Sequence, residues 1–263
     1  MNKLFDLSGK NIMLTGSCGH IGRKLSLGLA LSGAHVILNG RDINKLNKLK
    51  SEIEEVKGKS SIANFDICNE NEIKNYFEGN KNLKLSGIVN NAYSGNGGTI
   101  LTSTSDDYRQ TYEVAVIAPA NLIKYGIECL NLAVKADGEA SIVNISSMYG
   151  LVSPHVEIYQ TPESTNPPFY GTAKAALIQF TRYAAVELSQ KKIRVNSITP
   201  GPFPSNDVQA NDPEFINILS QMVPMKRIGR PEELVGAVQF LLSGASSFIT
   251  GTNLPIDGGW TAW

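Results

Sequence analysis

The chain of 263 residues carries 24 Lys plus Arg against 24 Asp plus Glu, with 42% hydrophobic and 18% charged residues. That length suits one α/β domain built on a single large sheet, and the zero balance removes the electrostatic case for nucleic acid or an anionic membrane surface as partner. Cys18, Cys68 and Cys129 show no paired or metal-ligand spacing, so they are expected as reduced thiols in a cytoplasmic protein without a metal site.

The opening MNKLFDLSGKNIMLTGS runs straight into a strand, leaving no room for a secretory leader. The longest uncharged run, Leu25 to Gly40, has 16 residues and is too interrupted to span a bilayer. NIMLTG (11–16) predicts a buried strand and 21–33 a helix ending at Gly33. HVILNG (35–40) reads as the second strand, and 43–58 as a polar-faced helix closed by Gly58. SSIANFDI (60–67) and LSGIVNNA (85–92) follow as strands, with a short helix near 70–77 between them. The stretch 105–133 predicts one long helix with Asp106 as its cap. EASIVNIS (139–146), a helix over 170–190, IRVNSITPG (193–201), a proline-led helix over 231–244 and a short strand within 250–259 complete the order. Strands alternating with crossover helices predict a parallel sheet covered on both faces, one doubly wound α/β domain over 1–263.

TGSCGHIG (15–22) follows the first strand and opens the first helix, the context a dinucleotide-binding turn requires. Its glycines permit a tight turn and close approach of a pyrophosphate to a helix N-terminus; the plainer reading is an ordinary glycine-rich turn. An acid ending the second strand would bond a ribose 2′-hydroxyl, but Asn39-Gly40 stands there and Arg41 follows. A guanidinium suits a 2′-phosphate, so NADP(H) is expected over NAD(H), the alternative being a solvated charge leading the next helix. Asp66, in FDI, either meets an adenine edge or caps its own turn. Tyr170 and Lys174 stand four apart on a helix and share a face. An ammonium ~4 Å from a phenol is worth roughly 4 kcal/mol at a dielectric of about 20, enough to lower the phenol by up to about three units. Ser147, at a strand end, can hydrogen-bond a reacting oxygen.

Joined in order by NNAY (90–93), SS (146–147), YGTAK (170–174), PG (200–201), GRPEE (229–233) and IDGG (256–259), the chain resembles the classical short-chain dehydrogenases/reductases over essentially its whole length. The resemblance implies a Rossmann-type domain with a seven-stranded parallel sheet. It implies hydride exchange between NAD(P) and a carbonyl or alcohol, and a homotetramer or homodimer joined through the helices that include 107–133 and 171–190. It makes Ser147, Tyr170 and Lys174 the catalytic set. Cofactor contacts carry over to Gly16, Ser17, Gly19, His20, Ile21, Gly22, Arg41, Asp66, Ile67, Asn90, Ala92, Tyr170, Lys174, Pro200, Gly201, Phe203 and Ser205, the lysine also bonding the nicotinamide ribose, with Ser146 structural.

Three positions depart from the family pattern. His20 replaces the middle glycine of the turn, Tyr93 the glycine of NNAG, and Ala115 an asparagine that positions a water leading to the lysine. Twenty-two residues lie between Ser147 and Tyr170, roughly ten more than such members carry, and long loops in compact domains are usually functional or disordered. This extended loop, about 150–169, is expected at the substrate mouth or as a solvated or subunit-contact segment. Tyr93, Tyr149, His155 and Tyr159 are the substrate candidates. The SSxYG to YxxxK arrangement is similar to gluconate 5-dehydrogenase-like and bacterial surface-sugar oxidoreductases. The expected activity interconverts a ketone and a secondary alcohol on a sugar, sugar acid or similar polar substrate. The alternatives are a 3-oxoacyl-thioester reductase and, from the three departures, a cofactor-binding protein with little turnover.

Overall fold

The computed structural model describes residues 3–262; Met1, Asn2 and Trp263, the ends of the expected domain, lie outside the described residues. Seven strands form one sheet: β1 (Asn11–Leu14), β2 (His35–Gly40), β3 (Lys59–Asn64), β4 (Gly87–Asn90), β5 (Ala140–Ile145), β6 (Ile193–Pro200) and β7 (Asn253–Ile256). Their order is β3-β2-β1-β4-β5-β6-β7, and every neighbouring pair is parallel. This is the doubly wound Rossmann-type sheet expected from the alternating pattern.

Side-chain alternation divides the core. Met13 faces one layer with Phe77, Leu122 and Leu188, while Ile12 and Leu14 face the other with Leu25, Leu46 and Val238. The first layer is covered by α3 (Glu70–Gly79), α5 (Ala118–Asp137) and α6 (Pro168–Ser189), the second by α1 (His20–Leu31), α2 (Ile43–Glu55) and α9 (Val235–Leu242). Because β1 pairs with β2 on one side and β4 on the other, the crossovers diverge there. A crevice opens at the carboxyl ends of those strands.

Several boundaries differ from expectation. The apolar runs of the first, third and fourth strands continue past the sheet into the loops that line the crevice. The helix expected to close at Gly58 ends at Glu55, and Lys57 takes the left-handed conformation (φ 57°). The long helix expected over 105–133 is α4 (Ser105–Tyr112), a π-helical turn (Glu113–Ile117) and α5. Thr104, not Asp106, caps α4: its hydroxyl accepts from the Asp107 amide while the Asp107 carboxylate accepts from the Thr104 amide. Asp106 already lies inside the first turn and pairs with Arg109 at 2.6 Å. The proline-led helix begins as a tighter turn, Pro231–Leu234, before α9. Two short helices, α7 (Asn206–Asn211) and α8 (Pro213–Met222), capped by Ser205 and Asp212, had no counterpart in the sequence reading.

Candidate active site

The glycine turn is clipped to the end of β4. Thr15 Oγ1 accepts from the amides of Asn91 (3.0 Å) and Ala92 (3.1 Å), and Asn91 Nδ2 donates to the Thr15 carbonyl (3.0 Å). Gly16 takes a positive φ of 63°, and a Cβ there would lie 2.8 Å from Ala92 Cα. A Cβ on Gly22 would collide with the Gly16 carbonyl, so that glycine permits helix and turn to close on each other. No side chain caps α1 at Gly19, which leaves first-turn amides and the positive helix end open to an anion. A nicotinamide dinucleotide fits this cradle through its pyrophosphate.

The cleft over this turn measures about 510 Å³. It brings together Gly16, Gly19, His20, Ile21, Gly22, Arg41, Asp66, Ile67, Ala92, Tyr93, Phe203 and Ser205 from the expected residues. Ser17 is not among them: its buried hydroxyl donates to the Leu14 carbonyl at 2.6 Å and holds the turn. Asn90 is also off the cleft. It is buried and donates to Asn144 Oδ1 (2.7 Å), whose own amide reaches Thr181 Oγ1 (2.9 Å), so this chain ties β4 and β5 to α6.

At the end of β2 the Asn39 amide is occupied by the carbonyls of Ala63 (3.0 Å) and Phe65 (3.1 Å). Arg41 is the exposed cation on that rim, 3.7 Å from Asp66 Oδ2. The other Asp66 oxygen accepts from the Cys68 amide at 3.0 Å, so the turn-capping alternative describes part of its role. His20 lines the same cleft, and burial holds its imidazole below the usual range. The Cys18 thiol is pushed up by burial and then by Asp42, which keeps it from being a thiolate.

A second cleft of about 580 Å³ adjoins the first through Ile21, Asn91, Tyr93, Phe203 and Ser205. Ser147, Tyr149, Tyr159, Tyr170, Lys174, Pro200 and Gly201 line it. Ser147 stands two residues past the end of β5, and Tyr170 stands in the first turn of α6, which Pro167 and Pro168 lead. Ser146 Oγ donates to the Lys174 carbonyl at 2.9 Å and anchors α6 to the β5 end, the structural role expected of it. Lys174 Nζ donates to the Ile145 carbonyl at 2.8 Å. Burial lowers that ammonium from 10.5 to about 8, and among the described residues no carboxylate offsets it.

The expected lowering of the Tyr170 phenol is not what the chain shows. Burial raises it, opposed by a hydrogen bond from Ser147. Lys174 is turned to the Ile145 carbonyl and stands 5.7 Å from the Tyr170 ring centroid, so desolvation outweighs its field. A phenol held in its neutral form is a proton donor. Ala115 lies buried in the π-helical turn, on a small cavity it shares with Lys174, Asn90 and Thr15. Its methyl group offers no hydrogen bond there.

The mouth is built by loops. Tyr93 packs edge-on against Tyr170 (ring centroids 4.7 Å, 69°) where the two clefts meet. Within the extended loop the hydroxyls of Tyr149 and Tyr159 meet at 3.0 Å, and the Tyr159 ring packs against Phe215 of α8 at 5.5 Å. The far end of the loop is joined to residues 94–98 by the Gly98 amide, which donates to the Thr165 carbonyl at 2.9 Å. His155 does not join the other candidates: it is exposed, 3.5 Å from a Glu157 oxygen, with its ring near Trp260. Sequence reading missed Thr15 and Asn91 as the clip, Asn166 on the cleft wall, and Phe215 and Leu219 from α8. The helical spacing of the apolar residues in EFINIL (Phe215, Ile216, Ile218 and Leu219) was the available signal for α8. Nothing local marks Asn166.

The family model described as enoyl-(acyl carrier protein) reductase matches residues 18–261. The rhamnolipids biosynthesis 3-oxoacyl-[acyl-carrier-protein] reductase of Pseudomonas aeruginosa is 29% identical, over 98% of this chain and 99% of that protein. The gluconate 5-dehydrogenase of Gluconobacter oxydans is also 29% identical, over 98% and 97%. The crystal structure of a gluconate 5-dehydrogenase from Burkholderia cenocepacia in complex with NADP and tartrate superposes with a TM-score of 0.87. That protein is 26% identical, with 99% of this chain and 98% of that one covered.

Proposed function

The chain belongs to the classical short-chain dehydrogenase/reductase family and is an NAD(P)-dependent oxidoreductase of carbonyl and alcohol groups; from that premise we propose that it interconverts a ketone and a secondary alcohol on a polar, sugar-like substrate, using NADP(H). The observation that carries the chemistry is the single cleft shared by Ser147, Tyr170 and Lys174 beside an uncapped glycine turn. The bound nicotinamide supplies or accepts the hydride. Ser147 holds the reacting oxygen by hydrogen bond, and the neutral Tyr170 phenol gives that oxygen its proton during reduction. Lys174 fixes the geometry through Ile145 and holds its ammonium 5.7 Å from the Tyr170 ring centroid, where its charge favours the phenolate that results.

Arg41 supports the choice of NADP(H), since it directly follows β2 and the next residue, Asp42, spends its carboxylate capping α2. The NADP held by the Burkholderia relative points the same way. Support for a polar substrate comes from the hydroxyl and amide groups that the extended loop adds to the cleft, and from the gluconate-acting relatives. The 3-oxoacyl-thioester alternative draws on the apolar wall of Val208, Phe215 and Leu219 and on the Pseudomonas relative. The proposal includes a cytoplasmic homodimer or homotetramer joined through α5 and α6, where Tyr183 and Val186 are exposed. The described residues contain no helix long and apolar enough to cross a membrane.

Tyr170→Phe is the direct test, read on a panel of keto sugars, keto acids and 3-oxoacyl thioesters. Turnover should fall about 10²- to 10⁴-fold, with NADPH affinity measured by fluorescence nearly unchanged. Retained turnover would remove Tyr170 from the chemistry, and a wild-type preference for the thioesters would replace the substrate reading.

A further inference from the structure

Lys174 carries a charge that the protein scarcely offsets. It is 4% exposed, and among the described residues its Nζ makes one hydrogen bond, to the Ile145 carbonyl at 2.8 Å. An ammonium has three protons to donate, and burying it without an anion is costly. The elements packed against α6 supply none. The small cavity that Lys174 shares with Ala115 has no other ionisable side chain. On α4, Asp106 is taken by Arg109 and Asp107 by the Thr104 cap, while Glu113 of the π-helical turn acts on the Cys68 thiol. Arg194 on β6 is paired with Glu139. After β5 the cleft adds only the phenols of Tyr149 and Tyr159, which burial keeps neutral.

Two aromatic rings stand where that anion would. The ammonium lies over the Tyr93 ring, 5.5 Å from its centroid, and over the Tyr170 ring at 5.7 Å. The two ring centroids are 4.7 Å apart, so amine and rings form a closed triangle. Both distances fall within the roughly 6 Å over which a ring face attracts a cation, and the attraction grows where water is excluded. Tyr170 is committed to the proton transfer, whereas the Tyr93 phenol has no such task. The Tyr93 hydroxyl takes a hydrogen bond from Thr111 of α4. Gly95 lacks a Cβ, which would strike that hydroxyl. The ring is therefore seated, with its face to the amine and its edge to the catalytic phenol.

We propose that Tyr93 is a positioning residue for the proton transfer: the face of its ring keeps the Lys174 ammonium charged and beside Tyr170, in a site without a carboxylate to do so. The proposal rests on the reading of Lys174 as the cation that favours the Tyr170 phenolate, and it is independent of which carbonyl compound is the substrate. An attraction present only for the charged amine raises its pKa, so it opposes the effect of burial.

The test follows the amine itself, by NMR of protein carrying 13C at the lysine Cε, with the Lys174 resonance identified by its absence from Lys174→Met. In wild type it should titrate at about 8. Tyr93→Phe keeps the ring face and should leave that midpoint in place. Pentafluorophenylalanine at position 93 keeps the ring's shape but withdraws its electrons, and should lower the midpoint by about half a unit to one unit without opening space for water. The high-pH limb of kcat/KM for ketone reduction should move down by the same amount. A midpoint that stays or rises with the fluorinated ring overturns the proposal. So does a fall of equal size in Tyr93→Phe, which would assign the effect to the hydroxyl bonded by Thr111. A midpoint that falls while the kcat/KM limb stays put upholds the contact between ring and amine and removes Lys174 from the reaction.

Discussion

At the carboxyl ends of β1 and β4 the cleft rests on the glycine turn, where backbone sets the shape. Gly16 at φ 63°, the open amides of α1 and the Thr15–Asn91 clip are all set by residues within or beside two strand ends. At the mouth the walls are side chains from three separated stretches, residues 93–98, 149–167 and 203–219, which meet only when the chain is folded. The two ends therefore depend on sequence differently. A backbone cradle needs glycine at fixed spacing, and a side-chain wall tolerates almost any spacing provided the loops are braced. The catalytic group sits between them, on regular elements: Ser147 follows β5, and Tyr170 and Lys174 are on α6.

That difference governs what each end should lose on mutation, and Lys174 gives the largest expected effect. Lys174→Met should lower kcat for ketone reduction by about 10²-fold or more while leaving the mouth intact, so KM changes little. The pH dependence follows from an ammonium lowered by burial to about 8. Wild-type kcat/KM for reduction should fall as pH rises through about 8, and the variant should lose that limb. For stability the unfolded lysine holds its proton up to its ordinary range while the folded one releases it near 8. Between those values the unfolded state binds more protons, so stability rises with pH across that window and the burial cost is fully present below it. The interval from 10.5 to about 8 corresponds to a cost on the order of 3 kcal/mol, which Lys174→Met should recover in urea melts at pH 7. A flat wild-type stability profile from pH 8 to 10 would show that the ammonium is not desolvated.

Arg41→Asp probes the backbone-built end at the one place where a side chain decides. The charge-assisted contact to a 2′-phosphate is exposed, so NADPH should bind about tenfold more weakly, while NADH binding holds or improves. The added carboxylate would repel the 2′-phosphate, and Asp66 would lose the guanidinium 3.7 Å away. Equal loss for both dinucleotides would take Arg41 out of cofactor selection.

How far the sequence could be read follows the same division. The glycine turn, the β2 end and the YxxxK pair were legible because each is a local pattern inside a regular element. The misreadings have physical causes. A β-period or helix-period run does not reveal where the sheet stops pairing, so strands were read too long, and Thr104 competes with Asp106 for a cap that only geometry awards. The π-helical turn at 113–117 leaves the apolar periodicity nearly intact. The phenol's direction was misjudged because spacing reveals proximity and says nothing of desolvation, which is a property of the whole packed site. The family model and the two relatives bring the activity class, while the extended loop is the part no local pattern explains.

The smallest expected effect tests whether the mouth is as braced as the floor. Tyr149 and Tyr159 share a hydroxyl–hydroxyl bond at 3.0 Å, and burial raises both phenols, so neither ionises to compete with it near neutral pH. Tyr159→Phe keeps the ring against Phe215 and removes only the bond, leaving the Tyr149 hydroxyl unpaired in a buried setting. The cost should be about 1 kcal/mol, a fall of roughly 2–4 °C in Tm for a domain of this size, with KM raised a few-fold and kcat unchanged. Tyr149→Phe should cost similar stability but free the Tyr159 hydroxyl, which lines the cleft, so its KM effect should be smaller. If both variants raise KM alike, the bond serves only to hold the loop; if Tyr159→Phe alone does, that hydroxyl reaches the substrate as well as its neighbour.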